Sequence, residues 1–185
     1  VDQIRIDNTS GARAATEHMI AQVPAERCYH VGGPASNFDA AERAAAFAAV
    51  LSESGFRPRP EQIEHGEFNP EWGYAWAMRR LAEPSDEPAA VFAANDEIAF
   101  GILQAAAALG IGIPDRLRLV GFDGARLSTM TRPTLSTVQV PLDEIGARAI
   151  SMCIDRIRNP QTRHRSVSIP TRLVVRSSSA LDSET

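Results

Sequence analysis

Short apolar runs alternate along the chain with longer segments whose apolar residues recur every three or four positions. The short runs predict strands at 3–7, 27–32, 62–67, 89–94, 117–122, 136–141 and 166–175. The longer segments predict helices at 11–23, 36–55 and 98–109, a helix beginning at 69–71, and a helix at 143–158. Strands that alternate with helices across short loops favour an α/β fold with a doubly wound parallel sheet, covered by helices on both faces.

Four residues with binding chemistry follow four successive strands of this predicted sheet. They are Arg43, Phe68, Asn95 and Asp123, in the order of the strands that they follow. Because ligands bind at the carboxyl ends of parallel strands, we expect these side chains to converge on one crevice. The guanidinium, amide and carboxylate can hydrogen-bond a small polar molecule, and the aromatic ring can stack on the apolar face of a sugar.

Each of these residues also has a structural interpretation. Arg43 and Asp39 lie one helical turn apart and could form a surface ion pair. Asn95 could cap the following helix, Asp123 could form an Asx turn and Phe68 could fill the core. These alternatives stay open for each residue alone, and the binding hypothesis rests on all four lying along one edge.

Composition narrows the classes of partner. All 19 basic residues are arginine, and the 23 acidic residues leave a net charge of −4. An acidic chain without a basic cluster is a poor nucleic-acid binder by itself. No apolar run approaches the ~20 residues of a membrane span, so no membrane partner is expected. Cys28 and Cys153 fit no metal-ligand spacing and are predicted to be buried, reduced thiols, which suits the cytoplasm.

Sequence patterns of common catalytic sites do not occur in the chain. There is no Gly-x-Ser-x-Gly elbow, zinc-binding His-Glu-x-x-His or Cys-x-x-Cys pattern, and the four histidines are scattered. The Gly-Gly-Pro sequence at 32–34 lacks the spacing and the lysine of a phosphate-binding loop, which favours a plain turn. We therefore expect no catalysis, no cofactor and no metal, and keep a doubly wound enzyme as a third hypothesis.

Six segments of the chain resemble one known family. They are DNTSGARAATEHMI, GGPASNFDAAERAAAFAAVLSESG, AVFAANDEIAFGIL, LGIGIPDRLRLVGFDG, RPTLSTVQVPLDEIGARA and LVVRSS. Their order and spacing are similar to the effector-binding core of the lactose-repressor/galactose-repressor (LacI/GalR) family of bacterial transcription regulators. The resemblance implies a periplasmic-binding-protein-like (type I) lobe with part of the second lobe, and an effector held between the lobes.

The same resemblance implies a set of ligand-binding residues. They are Asn37 and Asp39 at the rim, Phe68 as the stacking ring, and Arg43, Asn95 and Asp123 as hydrogen-bonding groups. The expected effector is a sugar or a nucleoside-like molecule. The expected partners are operator DNA, bound through a helix-turn-helix head that this chain lacks, and a second copy in a homodimer.

The resemblance also divides the chain. It places the C-terminal lobe at 1–133, a crossing strand, helix and return strand that belong partly to the N-terminal lobe at 134–176, and a disordered tail at 177–185. Without most of the first lobe, the helix at 143–158 would expose Ile145, Ala149, Met152 and Ile157. We therefore expect the chain to dimerise or exchange this helix, and to bind effector weakly.

Two departures from the family pattern affect the expected site. Val140 stands where the family often has a glutamine that contacts effector, and Gly124 replaces a common second aspartate, which predicts a loosely anchored loop. A periplasmic sugar-binding protein of a transporter shares the fold and is the alternative. The sequence upstream of Val1 distinguishes the two, since a signal peptide would indicate the transporter protein and a helix-turn-helix the regulator.

Overall fold

Strands and helices alternate along the computed structural model, which describes residues 1–83, 85 and 87–180. The strands are β1 (Gln3–Ile6), β2 (Cys28–Gly32), β3 (Ile63–His65), β4 (Ala89–Ala93), β5 (Leu117–Asp123), β6 (Ser136–Gln139), β7 (Ser166–Ile169) and β8 (Arg172–Val174). The helices are α1 (Asn8–Ile20), α2 (Phe38–Glu53), α3 (Pro70–Arg80), α4 (Asp96–Leu109) and α5 (Leu142–Arg158). The single closing strand predicted at 166–175 divides in two at Pro170, which has no N–H to offer a ladder.

Six strands form the main sheet, in the order β3–β2–β4–β5–β6–β8. The first five are parallel, as the sequence predicts, so their carboxyl ends share one edge. The predicted parallel sheet has one antiparallel strand at its edge, because β8 pairs antiparallel with β6. That strand returns the chain along the edge of the sheet, an arrangement that is common in otherwise parallel sheets.

Helices cover both faces of this sheet. On one face, α3 and α4 pack around Trp76, Ile98 and the β4 side chains that point to that face. On the other face, α1 and α2 pack around Phe47, Met19 and the opposite side of the same strands. Because helices cover both faces of the sheet, its central strands are buried on both sides. This explains why 89–94 and 117–122 are continuous apolar runs.

The approach of α3 to α4 depends on glycine. A Cβ atom at Gly73 would overlap the carbonyl oxygen of Ile98, and one at Gly101 would overlap the carbonyl oxygen of Pro70. Both obstacles are backbone atoms, which cannot rotate away as a side chain can. The two helices therefore need small residues at this crossing.

A second, smaller unit consists of α5 and the two-stranded parallel sheet of β1 and β7. Arg156 ties α5 to the start of β1 through an ion pair of 2.9 Å with Asp2. Each of the two sheets contains strands from both sides of residue 133, and the predicted boundary at 133/134 stays a prediction. Strand β1 joins the small unit, whereas β6 and β8, which lie after residue 133, join the main sheet.

The apolar face of α5 is exposed in part, and only some of the four residues predicted to be exposed are so. Met152 is buried and Ile145 packs against the core, whereas Ile157 is 78% exposed as expected. The exposed stripe consists of Leu142, Ile150, Ile154 and Ile157. A cavity of about 710 Å³ lies beside it, between β1 and α5, and is lined mainly by apolar groups that include Ile4 and Met152.

Three smaller predictions have mixed outcomes. Cys28 is buried as predicted, but the prediction is wrong for Cys153, which is exposed on α5 and lines the cavity beside β1. The predicted disordered tail is wrong for 177–180, since Ser178 is buried and its hydroxyl donates to the carbonyl oxygen of Leu119. The rest of that tail, 181–185, lies outside the described residues.

Within the described part of the chain, no helix has the length and apolar character needed to cross a membrane. The same residues contain no cluster of three or more side chains suited to hold a metal ion.

Candidate functional site

The candidate site lies along the carboxyl edge of β2, β3, β4 and β5, where two helices begin. Asn37 caps α2 by accepting a hydrogen bond of 3.0 Å from the Ala40 N–H, one residue after the Ser36 start that the sequence suggested. Asn95 caps α4 by accepting one of 2.9 Å from the Ile98 N–H. Both asparagines use the side-chain oxygen as the cap, so the amide NH₂ group is left as a donor at the edge.

Arg43 is buried, and two fixed hydrogen-bond acceptors hold its guanidinium in place. Only 4% of the residue is exposed, and its guanidinium carbon lies 3.7 Å from the centre of the Phe122 ring. Its Nε donates to Oδ1 of Asn8 at 2.9 Å, and its Nη1 donates to the carbonyl oxygen of Ala94 at 2.5 Å. The second terminal nitrogen, Nη2, donates to none of the described residues. Burial lowers the pKa of the Arg43 guanidinium, and the carboxylate of Asp123 opposes that shift.

Asp39 reaches Arg43 through an intermediate residue. The sequence suggested a direct pair between these two side chains, but Asn8 stands between them. The Nδ2 of Asn8 donates to Asp39 at 2.8 Å and to Glu42 at 2.9 Å, while its Oδ1 accepts from Arg43. Asp39 therefore orients Asn8, and Asn8 orients the guanidinium.

Asp123 ends β5 and faces Arg43 across the site. Its Oδ1 lies 4.0 Å from Nη1 of Arg43, and 46% of its side chain remains exposed. Partial burial raises the pKa of the Asp123 carboxyl to about 6, and the positive charge of Arg43 opposes that rise. The carboxylate can thus accept from a ligand hydroxyl or N–H while it also balances the buried cation.

Phe68 lies in the loop between β3 and α3, at the same edge. Its ring packs on Gly33, where a Cβ atom would overlap two ring carbons. The side chain is half-buried and contacts the core cluster, so one ring face is used in packing. This position accommodates both interpretations of Phe68, as a core residue and as a stacking surface.

Three residues that sequence reasoning missed complete this arrangement: Asn8, Asp96 and Thr137. Asn8 follows β1 as Asn95 follows β4, so the strand-end rule could have found it. Asp96 is 1% exposed, and its carboxylate accepts from the Ala125 N–H and the Thr137 hydroxyl. Burial raises the pKa of the Asp96 carboxyl to about 7. Thr137 lies within β6, and nothing in its local sequence indicates a contact with α4.

Comparison with known proteins shows which family the chain is similar to. The family profile described as a periplasmic binding protein-like domain matches residues 16–179. The chain is also 34% identical over 150 residues to the HTH-type transcriptional repressor PurR of Escherichia coli O1:K1, and equally to that of Salmonella arizonae. The chain belongs to the LacI/GalR family. It corresponds to the family's effector-binding core, and the match covers 81% of this chain but 44% of each PurR.

Solved structures of LacI/GalR regulators share the fold. A LacI-family regulator from Enterococcus faecium with bound ribose superposes with a TM-score of 0.86 at 25% identity, over 97% of this chain and 66% of that one. A sugar-binding LacI-family regulator from Enterococcus faecalis gives 0.86 at 29% identity, over 98% and 66%. The complex of the regulator CelR with cellobiose gives 0.85 at 25% identity, over 96% and 54%.

The loop of the LacI/GalR core that carries Asp123 is better anchored than the sequence suggested. Gly124 adopts a φ of +74°, which glycine accepts without a Cβ clash. Its N–H donates to the Thr137 hydroxyl at 3.2 Å, and the next N–H donates to Asp96. The expectation that a glycine at 124 loosens this loop is therefore wrong, because other residues supply the anchoring.

Proposed function

We propose that this chain is the effector-binding core of a bacterial DNA-binding transcriptional regulator, and that its effector is a sugar or a nucleoside-like molecule. The observation that carries the proposal is the convergence of Arg43, Asn95 and Asp123 at one edge of the sheet. A fixed guanidinium, an amide donor and a carboxylate can recognise a ring with several hydroxyl or N–H groups. Phe68 offers a ring face to stack on it.

The mechanism follows from a cleft shared between two lobes. The chain spans less than half the length of the PurR relatives, and its site residues line one edge of one sheet. In the proposal, a second lobe closes over this edge when effector binds, and the change in lobe arrangement alters operator binding by a DNA-binding head. The coupling is reciprocal, so operator DNA changes effector affinity by the same factor.

The exposed parts of the small unit fit this arrangement. The exposed α5 stripe and the cavity beside β1 are apolar, and a second lobe would cover them. We also propose a homodimer in the cytoplasm, as expected of a DNA-binding regulator. The relatives named above are transcriptional regulators, which favours this function over a transporter's binding protein and over an enzyme.

Titration calorimetry on this chain tests the assignment of the site. The ligands are ribose, cellobiose and adenosine, and the variant is Asp123→Asn, which removes the charge and keeps the size. The variant should weaken binding by about tenfold or more, since it loses a charged acceptor. Asp115→Asn, an exposed aspartate at the opposite end of β5, is the matched control and should bind as the wild type does.

Two results would count against the proposal. Binding that is equal in the wild type and Asp123→Asn would remove Asp123 from the site. No binding of any of the three ligands, even at millimolar concentration, would contradict an effector of this class.

A further inference from the structure

The turn at 123–125 that presents Asp123 has an unusual backbone. Asp123 has a φ of 116°, and it is the only described residue other than glycine with a positive φ. Gly124 follows with a φ of +74°. A non-glycine residue keeps such a conformation only when its surroundings hold it there, and residues of this kind cluster at functional sites.

Two buried side chains hold this turn. Asp96, the first residue of α4, accepts a hydrogen bond of 2.7 Å from the Ala125 N–H. Thr137, in the middle of β6, accepts one of 3.2 Å from the Gly124 N–H. The Thr137 hydroxyl in turn donates to Asp96 Oδ1 at 2.6 Å, so the two side chains form one connected network.

The network is closed to solvent and tightly packed. Thr137 is fully buried and Asp96 is 1% exposed. A Cβ atom at Gly121 would overlap Oδ1 of Asp96, so the carboxylate lies directly over the backbone of β5. Water cannot easily replace either acceptor, and a buried polar group without its partner is costly. The two backbone N–H groups therefore depend on these particular side chains.

We infer that Asp96 and Thr137 are positioning residues of the effector site, which fix the 123–125 turn so that the Asp123 carboxylate stays beside Arg43. The inference rests on the proposed function for its biological meaning. The positioning itself can be measured without any ligand. A contribution to fold stability alone would not predict a specific change at Asp123.

Thr137→Val and Thr137→Ser form the matched pair of variants. Valine keeps the shape of the side chain and removes the hydroxyl, whereas serine keeps the hydroxyl. Carbon-detected NMR titration of the Asp123 carboxyl is the measurement. Partial burial raises this pKa to about 6 in the wild type, and the positive charge of Arg43 opposes the rise. In Thr137→Val the turn should open to solvent, and because burial is the larger of these two effects, its loss should lower the midpoint towards the ordinary value of about 3.9.

The serine variant should keep the wild-type midpoint, and the Gly124 amide should exchange faster only in Thr137→Val. An unchanged midpoint and unchanged Gly124 exchange in Thr137→Val would overturn the inference. An equal shift in both variants would also overturn it, since the hydroxyl would then not be responsible.

Asp96 supplies a second, independent pair. Asp96→Asn keeps an oxygen for the Ala125 N–H and offers an NH₂ group to Thr137, so the Asp123 titration should stay near that of the wild type. Asp96→Ala removes both contacts and should lower the midpoint. Equal midpoints in these two variants would contradict a positioning role for Asp96.

A binding measurement distinguishes a failure of this inference from a failure of the proposed function. With ribose as the probe, Thr137→Val should weaken affinity by about tenfold, and Thr137→Ser by less than about twofold. Equal ribose affinity in both would overturn the positioning role in binding. If ribose does not bind the wild type, the proposed ligand class loses support, and the Asp123 titration still decides whether the turn is positioned by Thr137.

Discussion

Arg43 shows how a single residue can serve both the core and a binding edge. Its guanidinium lies against the Phe122 ring and donates to two fixed acceptors, Asn8 and the Ala94 carbonyl, while Nη2 donates to none of the described residues. The single ammonium group of a lysine, at the end of a flexible side chain, cannot reproduce this fork of N–H donors. The position of Arg43 near the edge was predictable from the sequence, but the residue that orients it, Asn8, lies 35 positions away.

Arg43→Lys tests this description directly. An ammonium group cannot satisfy both acceptors, so one buried oxygen loses its partner. We expect the free energy of unfolding to fall by about 1–3 kcal/mol, as measured by urea denaturation. Arg148→Lys, at an exposed position on α5, is the control and should change it little. Equal stability of the two variants would show that the fork is not needed.

Asp96 predicts a specific pH dependence of stability. Burial raises its pKa to about 7, above the value of about 3.9 expected in the unfolded chain. The protonated acid is thus favoured in the folded state. Its contribution to stability is full below about pH 4 and is lost as the pH rises through about 7.

The Asp96→Asn variant has no titratable group at this position. Comparing it with the wild type therefore isolates the effect of Asp96 ionisation on stability. The difference in unfolding free energy, wild type minus variant, should decrease as the pH rises from about 4 to about 7, and then level off. Urea denaturation over that range measures it. A difference that stays constant with pH would mean that the Asp96 carboxyl has an ordinary pKa.

At the scale of elements, the close crossing of α3 and α4 depends on glycine for space rather than for backbone freedom. Gly101→Ala would push a methyl group into the Pro70 carbonyl oxygen. We expect a loss of about 1–3 kcal/mol in thermal or urea unfolding. Gly146, on the exposed side of α5, has no neighbouring heavy atom within 4 Å of its added Cβ. Gly146→Ala should therefore stabilise the chain by up to about 1 kcal/mol, and the same sign for both variants would contradict this packing.

Element type was predictable because the hydrophobic period differs between strands and helices. The runs at 89–94 and 117–122 are buried on both faces, and their sequences predicted strands without ambiguity. The pairing of β1 with β7 and of β8 with β6 was not predictable, because it joins strands far apart in sequence or splits one apparent strand at Pro170. Pairing of this kind depends on tertiary contacts that local periodicity does not encode.

The site was predictable only in part, for a similar reason. The strand-end rule placed Arg43, Asn95 and Asp123 at the edge, and in the structure Arg43 lies beside Asp123 and donates to the carbonyl oxygen of Ala94, the residue before Asn95. It could not show that Asn8 separates Asp39 from Arg43, or that Thr137 supports the turn after β5. Those contacts cross between elements, and the residues involved have no distinctive local pattern.

For the whole molecule, the exposed stripe on α5 leads us to expect self-association. Leu142, Ile150, Ile154 and Ile157 are exposed apolar residues of one helix, and Ile157 also lines the cavity next to β1. We expect two copies of this chain to associate through it at high concentration. Sedimentation velocity should show a dimer that Ile154→Glu weakens, whereas Leu127→Glu, at an exposed position in the turn after β5, should not. A monomer at every concentration would contradict this expectation.

We propose that the carboxyl edge of the main sheet is an effector site. Amide chemical-shift mapping during titration of the chain with ribose, cellobiose and adenosine detects weak binding and shows which residues it affects. At least one of the three ligands should shift the amides of Gly33, Asn95, Asp123 and Gly124. Shifts confined to other parts of the chain, or none with any of the three ligands, would contradict it.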